Sequence, residues 1–190
     1  MKRTTRPFLV VETGRPIPSM RRHGRFPHWI RTAAGLAGDE VEVADVQAGE
    51  PPPAHRDYAG ILVTGSGAMV SDRDPWSERT ADWLREAVHD GAEVFGICYG
   101  HQLLAHARGG EVADNPRGIE MGTVGVALNA EAAADPLFTG LPERILAQAT
   151  HVQSVLRPPA GAVVLASSAV DDCHAFRWGE SAWGVQFHPE

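Results

Sequence analysis

No apolar run in this chain approaches the roughly 18 to 20 residues that a bilayer-spanning helix requires. Its start, Met1-Lys2-Arg3-Thr4-Thr5-Arg6-Pro7, leads into a strand-like segment too brief for the apolar centre of a secretory signal. The expectation is a cytoplasmic protein with no membrane partner. Cysteine is scarce: Cys98 and Cys173 are the whole supply, so at most one disulfide is possible, and the surroundings of Cys98 suit a free thiol better. Neither a Gly-x-x-x-x-Gly-Lys-Ser/Thr loop nor a Ser-Gly-Gly-x-Asp-Ser loop is present, which assigns any ATP-using step to a separate protein. The nine histidines include no His-Glu-x-x-His pair and no cysteine-pair spacing, so no metal site is expected.

With 190 residues, 43% of them hydrophobic, the chain is long enough for one domain with a sizeable core. The net charge of −7 is unevenly spread: residues 1–31 hold eight of the seventeen basic side chains, Lys2 and Arg3 among them, against one acid, Glu12. That segment reads either as a solvated arginine-rich loop or as a cleft mouth where Arg21, Arg22 and Arg25 hold an anionic acceptor or partner. The acidic remainder argues against nucleic acid as a partner.

Short apolar strands alternate with helical patterns. Phe8-Leu9-Val10-Val11 reads as the first strand, followed by a helix over Pro27 to Ala37, a strand at Glu40 to Ala44 and the apolar Ile61-Leu62-Val63. The clearest helix starts with Asp74 as cap and Pro75 in its first turn. It carries Trp76, Thr80, Trp83, Leu84, Ala87 and Val88 on one face and ends at Gly91. A strand over Glu93 to Ile97 follows. This alternation predicts a mostly parallel central sheet with helices on both faces. Beyond Gly109 shorter strands, near residues 122–128, 145–149, 162–167, 174–177 and 183–187, predict a small antiparallel addition. Trp178 and Trp183, flanking the turn Gly179-Glu180, are expected to pair across a hairpin.

Ligands of open parallel sheets sit at the carboxyl ends of the strands, and three such ends carry chemistry. Gly96-Ile97-Cys98-Tyr99-Gly100-His101-Gln102 sets a cysteine on a sharp strand-to-helix turn, with small residues two positions either side and a helix N-terminus that favours an anionic sulfur. Thr64-Gly65-Ser66-Gly67-Ala68 can turn backbone N–H groups toward a developing negative charge. Gly184-Val185-Gln186-Phe187-His188-Pro189-Glu190 puts a base and an acid two residues apart, on one side of an extended segment. Together these supply the nucleophile, oxyanion donors, base and orienting acid of covalent acyl transfer. Other residues are more ambiguous. His101 can shape the field at the thiol or simply pack at a helix start, and Glu120 can line a substrate pocket or pair with Arg117. Cys173, with no glycine turn or helix start beside it, reads as a structural thiol.

From Phe8 to Glu190 the chain resembles the class I, or triad, glutamine amidotransferases, in particular free-standing proteins similar to the glutaminase domain of GMP synthetase; the two motifs around Cys98 and His188 carry the likeness. The resemblance implies a flavodoxin-like fold and a triad of Cys98, His188 and Glu190. It also implies an oxyanion hole from the N–H groups of Tyr99 and of Gly65, Ser66 and Gly67. Gln102 matches the position that contacts the amino-acid end of the substrate, L-glutamine, and Thr150-His151-Val152-Gln153 resembles the family's Ser-His-x-Asp loop, with Gln153 in place of the acid. No cofactor is implied. Family members normally continue past the final motif, so a longer native chain is expected. Three activities fit: glutamine hydrolysis that delivers ammonia to a separate ATP-dependent synthetase subunit, γ-glutamyl hydrolysis of secondary amides, or a non-catalytic binding role for the same fold.

Overall fold

A computed structural model describes residues 6–190; Lys2 and Arg3 of the basic segment lie outside them. In chain order the elements are β1 (Phe8–Glu12), α1 (Phe26–Ala33), β2 (Val41–Asp45), β3 (Gly60–Val63), α2 (Pro75–His89), β4 (Val94–Ile97), α3 (Tyr99–Ala107), β5 (Glu111–Asp114), β6 (Glu120–Leu128), α4 (Ala130–Ala134), β7 (Arg144–His151), β8 (Gln153–Arg157), β9 (Ala162–Ser167), β10 (Ala175–Trp178) and β11 (Ala182–Val185). The main sheet has the order β2-β1-β3-β4-β11-β10-β9-β6-β7. Its first five strands are mutually parallel and the remaining pairings antiparallel. The expected antiparallel addition thus takes two forms, an extension of the main sheet and a separate two-stranded sheet of β5 and β8.

Both faces of the sheet are covered because its central strands are apolar on both sides. On one face Leu84 and Val88 of α2 and Leu103 and Leu104 of α3 pack with Leu9, Val11, Ile61 and Val63 of the strands. On the other, Ile30 of α1 and Ala132 of α4 pack with Val10, Ile97, Leu165 and Val185. Asp74 occupies the N-cap of α2, yet its carboxylate accepts from the Trp76 indole at 3.3 Å and caps no backbone N–H, so Pro75 at the first position carries the start. The helix expected to run to Ala37 stops at Ala33. The two tryptophans do not face each other: Trp183 is opposite Arg177 and donates to Asp135, whereas Trp178 lies under the Arg108 guanidinium.

The carboxyl ends of β1 and β3 are bound together. The Thr13 hydroxyl donates to the Thr64 carbonyl at 2.8 Å, and the Thr13 N–H donates to the Thr64 hydroxyl at 3.0 Å. This buried pair fixes where the Gly65–Gly67 turn leaves the sheet, beside the end of β4.

Candidate active site

Cys98 follows β4 with φ 53° and ψ −102°, a backbone conformation that costs a non-glycine residue about 1–3 kcal/mol and persists only where surroundings enforce it. Three hydrogen bonds do so: Cys98 N–H to Val185 O at 2.8 Å, Gly100 N–H to Thr64 O at 3.2 Å and Gln102 N–H to Cys98 O at 3.1 Å. The turn is tight enough to exclude side chains at both flanking glycines. A Cβ on Gly96 would stand 2.5 Å from the Gly100 carbonyl, and one on Gly100 would stand 2.5 Å from Val63 O.

β4 and β11 are parallel neighbours with Ile97 opposite Val185, so the chain leaves both strands at one edge and Cys98 and His188 emerge together. The antiparallel β6–β7 pair is registered to β9 at Ala127 and Leu128, and β7 reaches this edge, where the His188 N–H donates to Gln148 O at 2.9 Å. The Cys98 sulfur stands 3.9 Å from Thr150 O. His188 donates through Nδ1 to Glu190 Oε1 at 2.8 Å, and Cys98 lies near enough to favour its charged ring. Burial disfavours the charged ring, but the bonds with Cys98 and Glu190 outweigh it and hold His188 up at about 10. An imidazolium is therefore the resting form near neutrality. Its contribution to stability is complete below about 6.5 and is lost as the pH rises through about 10.

Cys98, His188 and Glu190 line one cavity of about 460 Å3 with Ser66, Gly67, Tyr99, Gln102, Thr150, His151 and Gln153. Gly65 borders the same pair: a methyl there would meet His188 Cε1 at 3.3 Å and Cys98 Cβ at 3.7 Å. As a first-turn residue of α3, Tyr99 has no intrahelical acceptor for its N–H. Its ring is buried, with its hydroxyl 2.6 Å from Ser77 Oγ, and burial pushes the phenol up to about 12. Gln102 donates to Gln153 O at 2.8 Å and to Gln186 Oε1 at 2.9 Å.

Glu120 does not line the cavity, nor does it pair with Arg117, which meets Asp172 at 2.7 Å instead. It stands behind the cavity wall, where Oε2 accepts from His151 Nε2 at 2.9 Å and from His174 Nε2 at 2.7 Å. Burial opposes its charge, yet bonds from Ser168, His151 and His174 keep its carboxyl below the usual range. His151 is held from the other side as well, with Nδ1 2.9 Å from Gln153 O, so both ring nitrogens face acceptors and the loop is clamped. The three side chains Glu120, His151 and His174 could converge on a cation, but shared protons already account for their contacts.

Of the two readings of the basic segment, the exposed Arg21 and Arg22 agree with the solvated loop. Arg25 forms ion pairs with buried Glu12 and with Asp45, Arg21 donates to Pro16 O, and Arg22 meets His23, while Arg15 is the described arginine of this segment that lines the cavity. His101 is a packing residue, fully buried against Phe176 and driven down to about 4 by that burial. Burial, reinforced by Asp171 and Asp172, pushes the Cys173 thiol well above its ordinary value, which leaves it inert.

The family model for class I glutamine amidotransferases matches residues 23–190. The chain belongs to this family. It is 36% identical over 139 residues to a GMP synthase (glutamine-hydrolysing) of Aeropyrum pernix, which covers 70% of this chain and 24% of the relative. It is 35% identical over 144 residues to the γ-glutamyl-L-1-hydroxyisopropylamide hydrolase of a Pseudomonas species, covering 70% of this chain and 47% of that one. The chain thus spans a quarter to a half of the length of these relatives. A glutamine amidotransferase structure from Methylobacillus flagellatus superposes with a TM-score of 0.80 at 25% identity, over 97% of this chain and 70% of that one. This class I amidotransferase has residues around its site that were not foreseen. Ser71 and Asp114 hold the Gln153 amide, and Gln186, inside the terminal motif itself, holds Gln102.

Two outcomes follow. Gly100→Ala should lower stability by about 1–3 kcal/mol or more, since its methyl meets backbone, read as a lower denaturant midpoint with an unchanged slope. Glu190→Gln should move His188 to a lower pKa, followed by NMR of its ring; an unmoved titration would mean that the carboxylate does not support the charged ring.

Proposed function

We propose that this chain hydrolyses the side-chain amide of L-glutamine through a γ-glutamyl thioester on Cys98 and delivers the ammonia to an acceptor on a separate ATP-dependent synthetase. The observation that carries the reading is the convergence of Cys98 with the hydrogen-bonded pair His188–Glu190 on one cavity. The Cys98 sulfur attacks the carboxamide carbon. The N–H groups of Tyr99 and of the Gly65, Ser66 and Gly67 turn receive the oxygen as it becomes negative, and each such donor contributes roughly 3 to 4 kcal/mol. His188 gives its proton to the departing nitrogen, the C–N bond breaks and ammonia leaves. The now neutral imidazole takes a proton from water, which attacks the thioester, and glutamate is released with the thiolate restored. Glu190 holds the ring orientation and stabilises its charged form.

Gln102 has both amide hydrogens engaged within the protein, so its oxygen serves as the acceptor for the substrate ammonium, a role the family's usual acid at position 153 cannot fill here. Gln153, Thr150 and His151 shape the same end of the cavity. The synthetase partner and ammonia delivery are supported by the GMP synthase relative, and hydrolysis of larger γ-glutamyl amides by the hydrolase relative.

Ammonia release from L-glutamine by the wild type and by Cys98→Ala, alone and with a candidate synthetase, tests the reading. The variant should lose at least about a thousandfold in rate. Equal release by both proteins would contradict it.

A further inference from the structure

We propose that Glu120 is the positioning residue that makes this site select substrates with a free α-ammonium group: through a closed circuit of buried hydrogen bonds it turns the oxygen of Gln102 toward the cavity. This inference rests on the thiol-triad reading above and adds to it the residue that sets the substrate selectivity.

The circuit has six members, all of them buried. Glu120 Oε2 accepts from His151 Nε2 at 2.9 Å, and His151 Nδ1 donates to Gln153 O at 2.9 Å. The same carbonyl accepts from Gln102 Nε2 at 2.8 Å, so both of its lone pairs are engaged. Gln102 Nε2 donates also to Gln186 Oε1 at 2.9 Å, and the Gln186 N–H donates to His174 O at 2.8 Å. His174 closes the circuit by donating from Nε2 to Glu120 Oε2 at 2.7 Å. Of the six, Gln102, His151 and Gln153 line the cavity with Cys98, while Glu120, His174 and Gln186 stand behind it.

A side-chain amide presents either its oxygen or its nitrogen, and which end of Gln102 faces the cavity decides whether an ammonium is attracted or repelled there. Gln186 does not settle this. Its own Nε2 has no hydrogen-bond partner among the described residues, so a turned Gln186 would accommodate a turned Gln102. Gln153 O does settle it, because a carbonyl only accepts. Turning Gln102 would set two acceptor oxygens against each other in a buried site, where an unmade hydrogen bond is most costly. His151 aims that carbonyl and Glu120 holds His151. The side chain of Gln153 is turned elsewhere, its amide donating to Ser71 Oγ at 2.6 Å and to Asp114 Oδ1 at 3.0 Å. The hydrolytic steps themselves make no use of Glu120. Burial disfavours its charge, and the bonds from Ser168, His151 and His174 hold its carboxyl below the usual range. A carboxylate kept ionised behind the wall acts on the substrate only through what it orients.

The test compares kcat/KM of the full chain for L-glutamine and for glutaramate, the same carboxamide acid without the α-amino group. Covalent labelling of Cys98 by a diazoketone analogue of glutamine is the separate check on the triad. In the wild type L-glutamine should lead by roughly tenfold to a hundredfold, the scale of a hydrogen bond to a charged group. Glu120→Ala should lower that ratio by at least about fivefold, mainly through the KM of L-glutamine. Glu120→Gln, which keeps an acceptor oxygen for the ring N–H groups, should retain most of it. His151→Leu, which removes the donor to Gln153 O while Glu120 stays, should lower the ratio as Glu120→Ala does. In the wild type L-glutamate should inhibit more strongly than glutarate, a measurement independent of how the variants fold. Labelling of Cys98 with equal turnover of the two amides by the wild type would overturn the circuit alone. So would a ratio that stays constant in Glu120→Ala because both substrates decline together, the mark of a merely structural role. Absence of both labelling and turnover would overturn the triad reading and the circuit with it.

Discussion

The parallel pairing of β4 with β11 is the constraint on which this site depends. Cys98 and His188 are far apart in the chain, and neither is anchored to the other by local structure. Setting Ile97 opposite Val185 brings the two exits to one edge, and the Cys98 N–H bond to Val185 O makes the elbow an extension of the ladder. The strained cysteine backbone is then a consequence of sheet geometry: the chain must turn at once into α3, and only glycines at 96 and 100 let it pass so near Val63 and its own next turn. A change that shifted the β4–β11 register by one residue would send every side chain on the strand to the other face and separate the pair.

The electrostatics are built on the same frame. Burial alone would strip the charge from His188, and it is the two partners, Cys98 on one side and Glu190 on the other, that reverse the balance. Removing either one takes away part of what compensates the desolvated cation, so the three residues function as a unit and not as separate contributions. The network behind the wall has the same logic. Glu120 is paid for by two histidines, one of which, His151, faces the cavity; through it a buried carboxylate far from the substrate fixes the loop that holds Thr150 over the sulfur.

Much of this was legible in the residues because the informative features are local. The glycines around Cys98, the spacing of His188 and Glu190, and the apolar strands β1, β3 and β4 each carry their own signature, and the likeness to a known family bound them into one expectation. What escaped depends on long-range packing. Nothing in the sequence around Glu120 distinguishes a partner in Arg117 from partners in His151 and His174, which the β6–β7 pairing and β10 bring to it. Arg25 was open between solvent and an anionic ligand until the fold carried Glu12 and Asp45 to it. Phe26 and Trp29 carried no signal of their own in the sequence; that they line the same cavity as Cys98 follows only from the fold.

The central claim is that Cys98 carries the acyl group. Mixing the protein with substrate in excess, quenching in acid within the first turnovers and mapping the modified peptide by mass spectrometry tests it most directly. The account predicts a γ-glutamyl adduct on the peptide holding Cys98, absent from Cys98→Ala and never on Cys173. Steady release of glutamate with an adduct on Cys173, or with turnover intact in Cys98→Ala, would contradict it.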